Sequence, residues 1–558
     1  MQSRFSLTFF FYNLVFFCAL CSNCLASYSK KEFALLLKSS SKHSEKIDFA
    51  KKFGKKLSNI DLSDLDITNV TFNDIEFDGL DLTNVIASSV LFENCKINNA
   101  NFYNAVISNS NFLDTTIKHS SFIFTDISGC EFDKINFVNV AIFDSGFSKT
   151  NIFNSNFADL FFKNSDITDC KFYKTNFNNS VLYKIKSNDL QTKDVQFNSS
   201  NIEECIFSKP VINLTSFSNS SLYGTSFLGS SLYKADFIDC QLSNSDFLGS
   251  SFEACIFNRA TLLNSDLSYC KIIKSQFESA DLSHASIEGS NITETSIKNS
   301  DIKNLFLPTA NFSSVEFYNV IIKESNTDDA VIKDSFFKDC KIQNLPFKNC
   351  DMSDNTVLDS GFEDVKIINT SLTRSFFKIN LHDSLFLNSD LSNTQIKQSD
   401  INKLYFKNSN FFNTKFSDTD ITQSSFANSN FTRTQFENTK LLGCGFYKNS
   451  LKDASFINTR FKKSLLLDNS DQDGFYDKIS KSGAILGTED LQNMIKNNDK
   501  NFRSVNYSQM DLSYLDLSGV DFSNSILKGT DFSYCNLSNT NFKDADVSYA
   551  RFTDKIKR

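Results

Sequence analysis

The stretch INNANFYNAVISNSNFLDTTIKHSSF (residues 97–122) carries a large apolar residue at every fifth position: Ile97, Phe102, Ile107, Phe112, Ile117 and Phe122. The same spacing runs from Leu62 to Phe377, slips by one residue and resumes from Leu381 to Leu466. It then returns from Phe502 to Phe552. Because α-helices repeat every 3.6 residues and strands every 2, a period of five predicts neither a globular helix nor an ordinary strand.

The residue two positions before each large one is small or modest in size, as Ala100, Ser110 and Thr125 illustrate. Residues two apart in an extended segment point the same way, so both face inward and the other three are left for solvent and a turn. Each five-residue unit is therefore predicted to form one side of a coil. Four sides close a square coil of about twenty residues, and successive coils stack at strand spacing, roughly 4.8 Å.

Units such as Ala280-Asp281-Leu282-Ser283 and Ala100-Asn101-Phe102 resemble pentapeptide repeats of the A-(D/N)-L-X-X type. The resemblance implies an all-β fold, a right-handed quadrilateral β-helix whose interior is filled by the centre residue and the one two before it. It implies almost nothing about activity, because one fold serves many functions.

A column of phenylalanines twenty residues apart supports four units per coil. These predicted structural core residues are Phe137, Phe157, Phe177, Phe197, Phe217, Phe237, Phe257 and Phe277. Rings stacked in register add about 0.5–1.5 kcal/mol per pair beyond their burial.

Composition excludes several other classes. The 558 residues include 61 Phe, 16 Gly and 3 Pro, and 41% are hydrophobic, which argues against a disordered or collagen-like chain. The net charge of −8 gives no support to nucleic-acid binding. Beyond the N-terminal segment, every Cys falls in the small interior position, and the four His have no partner pattern. We therefore predict no catalytic, cofactor-binding or metal site, no cofactor and no enzyme activity.

The N-terminus has the order of a secretory signal peptide, with Arg4, an apolar run over residues 7–20 and then Cys24-Leu25-Ala26. Nine Lys and three acidic residues follow within 27–56. The predicted domains are a signal peptide (1–26), a basic leader or N-terminal cap (27–56), a β-helix (57–467, with the slip near 377–381), an interrupting loop or short helix (468–500) and C-terminal coils (501–554). No membrane span is expected in the mature chain. We expect export, secreted or periplasmic, with plastid delivery through a bipartite leader as the alternative.

These features favour an exported, non-enzymatic scaffold that mediates protein–protein interaction with an unknown partner. The last coil is expected to expose an unpaired edge and to pair with a second copy as a homodimer. The family resemblance implies an alternative, an acidic DNA mimic that binds a type II topoisomerase, which suits the net charge of −15 over residues 57–558. A β-helical carbohydrate-active enzyme is a further alternative, although nothing in the sequence marks a cleft.

Overall fold

The chain folds into stacked, four-sided coils of parallel β-structure, which confirms the predicted quadrilateral β-helix. The computed structural model describes residues 29–40, 49–462, 464–467, 469–470, 491–492, 495, 500–503 and 507–553. The predicted signal peptide and most of the predicted loop at 468–500 lie outside these residues. The coordinates divide into two compact units, one ending at Val181 and one beginning at Leu182.

The described part of the first unit begins with the helices α1 (Lys30–Ser40) and α2 (Phe49–Phe53). Its strands are β1 (Lys56–Asp61), β2 (Thr71–Asn73), β3 (Glu76–Asp81), β4 (Ile86–Ser88), β5 (Leu91–Glu93), β6 (Lys96–Asn98), β7 (Val106–Ser108), β8 (Asn111–Leu113), β9 (Thr116–Lys118), β10 (Ser121–Ile123), β11 (Glu131–Asp133), β12 (Asn136–Val138), β13 (Ala141–Phe143), β14 (Asn151–Phe153), β15 (Phe161–Lys163) and β16 (Lys171–Tyr173).

The remaining strands follow from the boundary between the units onward. They are β17 (Val181–Tyr183), β18 (Lys186–Asn188), β19 (Gln191–Lys193), β20 (Asn201–Glu203), β21 (Ile206–Ser208), β22 (Val211–Asn213), β23 (Ser231–Tyr233), β24 (Ser251–Glu253), β25 (Lys271–Ile273), β26 (Gln276–Glu278), β27 (Asn291–Thr293), β28 (Ser296–Lys298), β29 (Asp301–Lys303), β30 (Asn311–Ser313), β31 (Glu316–Tyr318), β32 (Ile321–Lys323), β33 (Val331–Lys333), β34 (Phe336–Lys338), β35 (Lys341–Gln343), β36 (Pro346–Lys348), β37 (Thr356–Glu363), β38 (Lys366–Ile368), β39 (Phe376–His382), β40 (Leu385–Leu387), β41 (Gln395–Lys397), β42 (Asp400–Asn402), β43 (Tyr405–Lys407), β44 (Lys415–Ser417), β45 (Asp420–Thr422), β46 (Ser425–Ala427), β47 (Gln435–Glu437), β48 (Lys440–Leu442), β49 (Gly445–Tyr447), β50 (Ser455–Ile457), β51 (Arg460–Lys462), β52 (Leu465–Leu467), β53 (Asp531–Phe532) and β54 (Arg551–Phe552).

Most strands have three residues, because the chain turns a corner in every unit. In β8 the centre residue Phe112 points inward and pairs in register with Phe92 before it and Phe132 after it, each twenty residues away. The residue two after each centre lies at a corner with left-handed backbone, such as Asn104 with φ of 53°. Asn, Asp and Gly tolerate this conformation best, which accounts for their frequency at the corners.

The small interior position links one coil to the next through hydrogen bonds. In the second unit the Ser290 hydroxyl accepts a hydrogen bond from the Cys270 amide at 3.0 Å. It donates one to the Leu267 carbonyl at 2.6 Å. Asn355 does the same with an amide side chain, accepting from the Ser335 amide at 2.9 Å and donating to the Ile332 carbonyl at 2.6 Å. The buried side chains of Ser290 and Asn355 are therefore satisfied, and each such bond contributes about 0.5–1.5 kcal/mol.

The one-residue slip in the repeat lies on β39 of the second unit. Pairing with β37 runs from Leu358↔Lys378 directly to Ser360↔Ile379, so Asp359 is left without an opposite residue. Ile379 is buried there, at 5% exposure. Because β39 is one residue shorter here, β37 forms a β-bulge at this point. The next strands resume a spacing of twenty residues.

Candidate interaction surface at the C-terminal coil

The last described coil, residues 533–553, differs from the coils before it in the burial of its interior. In the preceding coil the inward residues Leu517 and Leu527 are fully buried. At the equivalent positions twenty residues later, Leu537 is partly exposed and Val547 is 37% exposed. The interior of the solenoid thus reaches the surface at this coil.

The backbone of the same coil has an unpaired edge. Within the stack, the amides of Leu517 and Leu527 donate to the carbonyls of Asn536 and Asp546 at 2.9 and 2.7 Å. The equivalent amides of Leu537 and Val547 donate to no carbonyl among the described residues. An edge of free donors and acceptors is a template for pairing with another chain.

Aromatic rings extend this surface. Phe552 stacks on Phe532 at 5.2 Å between ring centroids, and its outer face is partly exposed. On the outside, Tyr514 and Tyr534 stack at 4.9 Å, and Tyr549 is 82% exposed. Aromatic side chains of this kind are enriched in the cores of protein–protein interfaces.

Charge in this region is nearly balanced. Residues 500–553 include five Lys or Arg and six Asp. The hydroxyl and amide of Ser533 lower the pKa of Asp531, and Arg551 lies 3.8 Å from the same carboxylate. A surface with so little net charge presents little electrostatic barrier to a second copy of itself.

The eight predicted core phenylalanines all lie in the interior. In the first unit Phe137, Phe157 and Phe177 are 1–2% exposed. In the second unit the rings from Phe197 to Phe277 stack face to face, with centroid distances of 5.2, 5.1, 4.9 and 4.7 Å. They serve the core and belong to no surface site.

The cysteines occupy interior positions as predicted. All eleven between Cys95 and Cys535 are free thiols, and all are buried except Cys535, which lies in the open last coil. Burial raises the pKa of the Cys130 thiol to about 12, so the reactive thiolate is suppressed. Across the described residues, no group of three or more His, Cys, Asp or Glu side chains is arranged to hold a metal ion.

The predicted interruption at 468–500 is described only at its margins. Leu491 and Ile495 are buried, at 0% and 7% exposure, within the segment predicted to be a loop or short helix. In the part of the chain that the structure covers, no helix combines the length and apolarity needed to cross a membrane.

Comparisons with known proteins agree with this architecture. A family model described as "Pentapeptide repeat region" matches residues 230–307, and one described as "Pentapeptide repeats (8 copies)" matches residues 88–122, 380–428, 429–466 and 527–554. A comparison with curated proteins gave no match.

Several solved structures are similar to parts of the chain. HetL, a pentapeptide repeat protein involved in heterocyst differentiation regulation from the cyanobacterium Nostoc sp. strain PCC 7120, is 13% identical, covering 50% of this chain and 92% of its own, with a TM-score of 0.19. QnrB1, a plasmid-mediated fluoroquinolone resistance protein, is 17% identical over 32% of this chain and 86% of its own, with a TM-score of 0.16. The PL6 family alginate lyase AlyGC is 8% identical over 74% of this chain and 94% of its own, with a TM-score of 0.19. Likenesses of this extent carry no information about activity or partners.

Proposed function

This chain belongs to the pentapeptide-repeat family, and from that premise we propose that it is a non-enzymatic β-helical scaffold that mediates protein–protein interaction. The observation that carries the proposal is the last described coil, where apolar interior side chains reach the surface and the amides of Leu537 and Val547 have no carbonyl acceptor among the described residues. Exposed apolar surface next to an unpaired strand edge is typical of a site of association.

The proposed occupant of this surface is a second copy of the chain. Two such coils meeting end to end would cover Leu537 and Val547 on both copies and give their amides acceptors. A two-fold arrangement uses the same surface on each copy, and the balanced charge of residues 500–553 permits it. The apolar and polar features of this one surface thus support a homodimer through the C-terminal coil.

Light scattering of the full chain at tens of micromolar tests the homodimer. We expect twice the monomer mass for the natural sequence and the monomer mass for Val547→Lys, which places a charge on the surface. Val211→Lys is the matched control, because Val211 is 39% exposed on the side of a coil against 37% for Val547. A monomer at every concentration, or equal loss of the dimer in both variants, would count against this occupant. Circular dichroism of both variants checks that the coils remain folded.

The acidic coils of the first unit favour a second candidate, mimicry of DNA toward a type II topoisomerase. Residues 57–114 include nine Asp or Glu and one Lys. Some of this charge is neutralised, since Lys55 and Lys56 lie 3.5 Å from Asp74 and Glu76. The test is a supercoiling assay with a purified topoisomerase, in which the chain must compete with DNA. Unchanged activity at excess chain would exclude this candidate.

We also propose that the protein is exported through the N-terminal segment, with plastid delivery as the alternative. The segment concerned, residues 1–26, lies outside the described residues, so the support is its sequence alone. The N-terminus of a C-terminally tagged copy, determined after fractionation, should begin near Ser27 in a secreted or periplasmic fraction. An intact N-terminus in the cytosol would contradict export.

A further inference from the structure

Six apolar side chains point outward from neighbouring coils of the first unit, at positions that the repeat otherwise gives mainly to polar residues. We call them the aromatic patch: Tyr103, Val106, Ile123, Phe124, Phe143 and Phe161. Tyr103, Val106 and Phe124 are 43%, 42% and 53% exposed, and the other three are partly exposed. A cluster of this kind on a soluble surface marks a site of interaction.

Strand register makes the patch continuous. Strands β10, β13 and β15 pair in parallel, which sets Ile123 beside Phe143 and Ala141 beside Phe161. Adjacent strands lie roughly 4.8 Å apart, so the side chains of successive coils are in contact range. The patch therefore follows one side over four successive coils and reaches the next side at Val106 of β7.

The rings of the patch are set at angles to one another. The Tyr103 and Phe124 rings meet edge to face, with centroids 5.8 Å apart and planes 86° apart. Phe143 and Phe161 lie 5.2 Å apart with planes at 47°. Bases bind by stacking on exposed ring faces, whereas the angled rings of the patch form an uneven apolar surface. The geometry thus favours a protein partner.

Phe124 lies at a corner of its coil and shares the backbone conformation of the other corners. Phe124 occupies a corner with φ of 55°, a left-handed conformation that disfavours bulky residues. Its ring recovers little of that cost through burial, because more than half of it is exposed. Exposed large residues share this conformation at other corners, including Leu214 and Tyr269, so Phe124 contributes to the patch through its exposed ring.

The charges around the patch identify the kind of partner. Asp126 lies opposite Val106, Asp144 follows Phe143, and Lys163 lies opposite Phe143, which leaves one net negative charge beside the patch. Residues 57–181 as a whole include sixteen acidic and seven basic residues. A second copy would bring the same negative charge against this one, so self-association here is disfavoured. A cationic partner is attracted instead.

We propose that the aromatic patch is a docking surface for a cationic, amphipathic protein segment. Aliphatic side chains of the segment seat between the angled rings, and its Lys or Arg side chains meet the carboxylates of Asp126 and Asp144. The inference rests on the proposed scaffold function and adds a partner class at a surface separate from the C-terminal coil.

The experiment measures binding of three labelled synthetic peptides to the full chain by fluorescence anisotropy. The first is an amphipathic helix of leucine and lysine, the second replaces leucine with serine, and the third replaces lysine with glutamate. We expect the leucine–lysine peptide to bind at least about tenfold more tightly than either of the others, because both the apolar and the charged contacts are needed.

Variants of the chain then locate the site. The double variant Tyr103→Asn, Phe124→Asn should weaken binding of the leucine–lysine peptide at least about tenfold, as expected for central aromatic residues of an interface. Leu214→Asn is the matched control, because Leu214 is a 43% exposed corner residue with φ of 49° in the second unit. It should leave binding within about twofold of the natural chain.

Stability separates a binding role from a structural one. Asn tolerates left-handed backbone, so Phe124→Asn should leave the thermal midpoint unchanged or raise it. A clear fall in the midpoint would make Phe124 a structural residue and overturn the proposal. The proposal would also be overturned if the serine–lysine peptide bound as tightly as the leucine–lysine peptide. It would be overturned as well if the chain formed a dimer that the Tyr103→Asn, Phe124→Asn variant abolished and Val547→Lys did not. The Val547→Lys variant should bind the peptide normally, so failure here and failure of the homodimer are distinguishable.

Discussion

The first and last coils carry the same five-residue pattern and differ in what covers them. At the first coil, Leu57 and Phe72 are buried, and Phe49 of α2 packs on Phe72 with ring centroids 4.7 Å apart. At the last coil, Leu537 and Phe552 occupy equivalent interior positions and are partly exposed. The repeat determines which side chains point inward, but their burial depends on the structure that lies over them.

The largest effect on stability is expected at Phe217, in the interior of the second unit. Its cost is the value against which the first and last coils are compared. Phe217 lies 5.2 and 5.1 Å from the Phe197 and Phe237 rings, with no exposed face. Phe217→Ala should cost about 3–5 kcal/mol, because the neighbouring coils cannot collapse into the cavity. Hydrogen exchange of amides in the adjacent coils measures the loss of local stability. Unchanged exchange would show that the column contributes little.

At the capped end, Phe49→Ala should cost about 3 kcal/mol, since the ring is fully buried against Phe33, Phe53 and Phe72. Amides of β1 and β2 should exchange faster. The control is Leu35→Ala in α1, where the side chain is 69% exposed and the cost should stay below about 0.5 kcal/mol. If the two variants behave alike, the helices do not protect the first coil.

At the open end, Phe542→Ala should cost only about 1 kcal/mol, because part of the ring is already exposed. Urea-dependent hydrogen exchange of the last coil at low protein concentration measures this value. At concentrations that favour the homodimer the cost should increase, since the partner would then cover Phe542. A cost as large as that of Phe217→Ala in dilute solution would contradict the open coil.

The smallest effect concerns pH at the capped end. Hydrogen bonds from the Asn84 amide and from Lys30, whose Nζ is 3.2 Å away, lower the pKa of Asp64 from its usual value of 3.8. A lowered pKa stabilises the folded state above pH 3.8, and this contribution is lost as the pH falls further. Below this pH the protection of α1 amides, measured relative to the exchange rate of an unfolded peptide at the same pH, should therefore fall modestly. In the Lys30→Met variant, acid should accelerate the exchange of α1 amides less than in the natural chain. Equal acceleration in both proteins would show that the Lys30–Asp64 pair does not cause the effect.

Much of the fold can be predicted from the sequence because the repeat reports the direction of each side chain locally. Phe112 and Ser110 show that pattern directly, and the pairing of residues twenty apart follows from it. The exposure of Val547 could not be predicted in this way, since it depends on what lies over the coil. The sequence does not single out Phe124, because an outward aromatic residue does not interrupt the five-residue period. Its role emerges only with its neighbours in the structure.

The interior thiols have a consequence for the conditions that the protein withstands. Ten of them are buried in positions shared elsewhere by Ser and Thr, where oxidants have little access. Cys535 alone among the described thiols is open to reagents, and even there burial raises the pKa. The coils should therefore keep the same covalent structure in reducing and oxidising compartments alike.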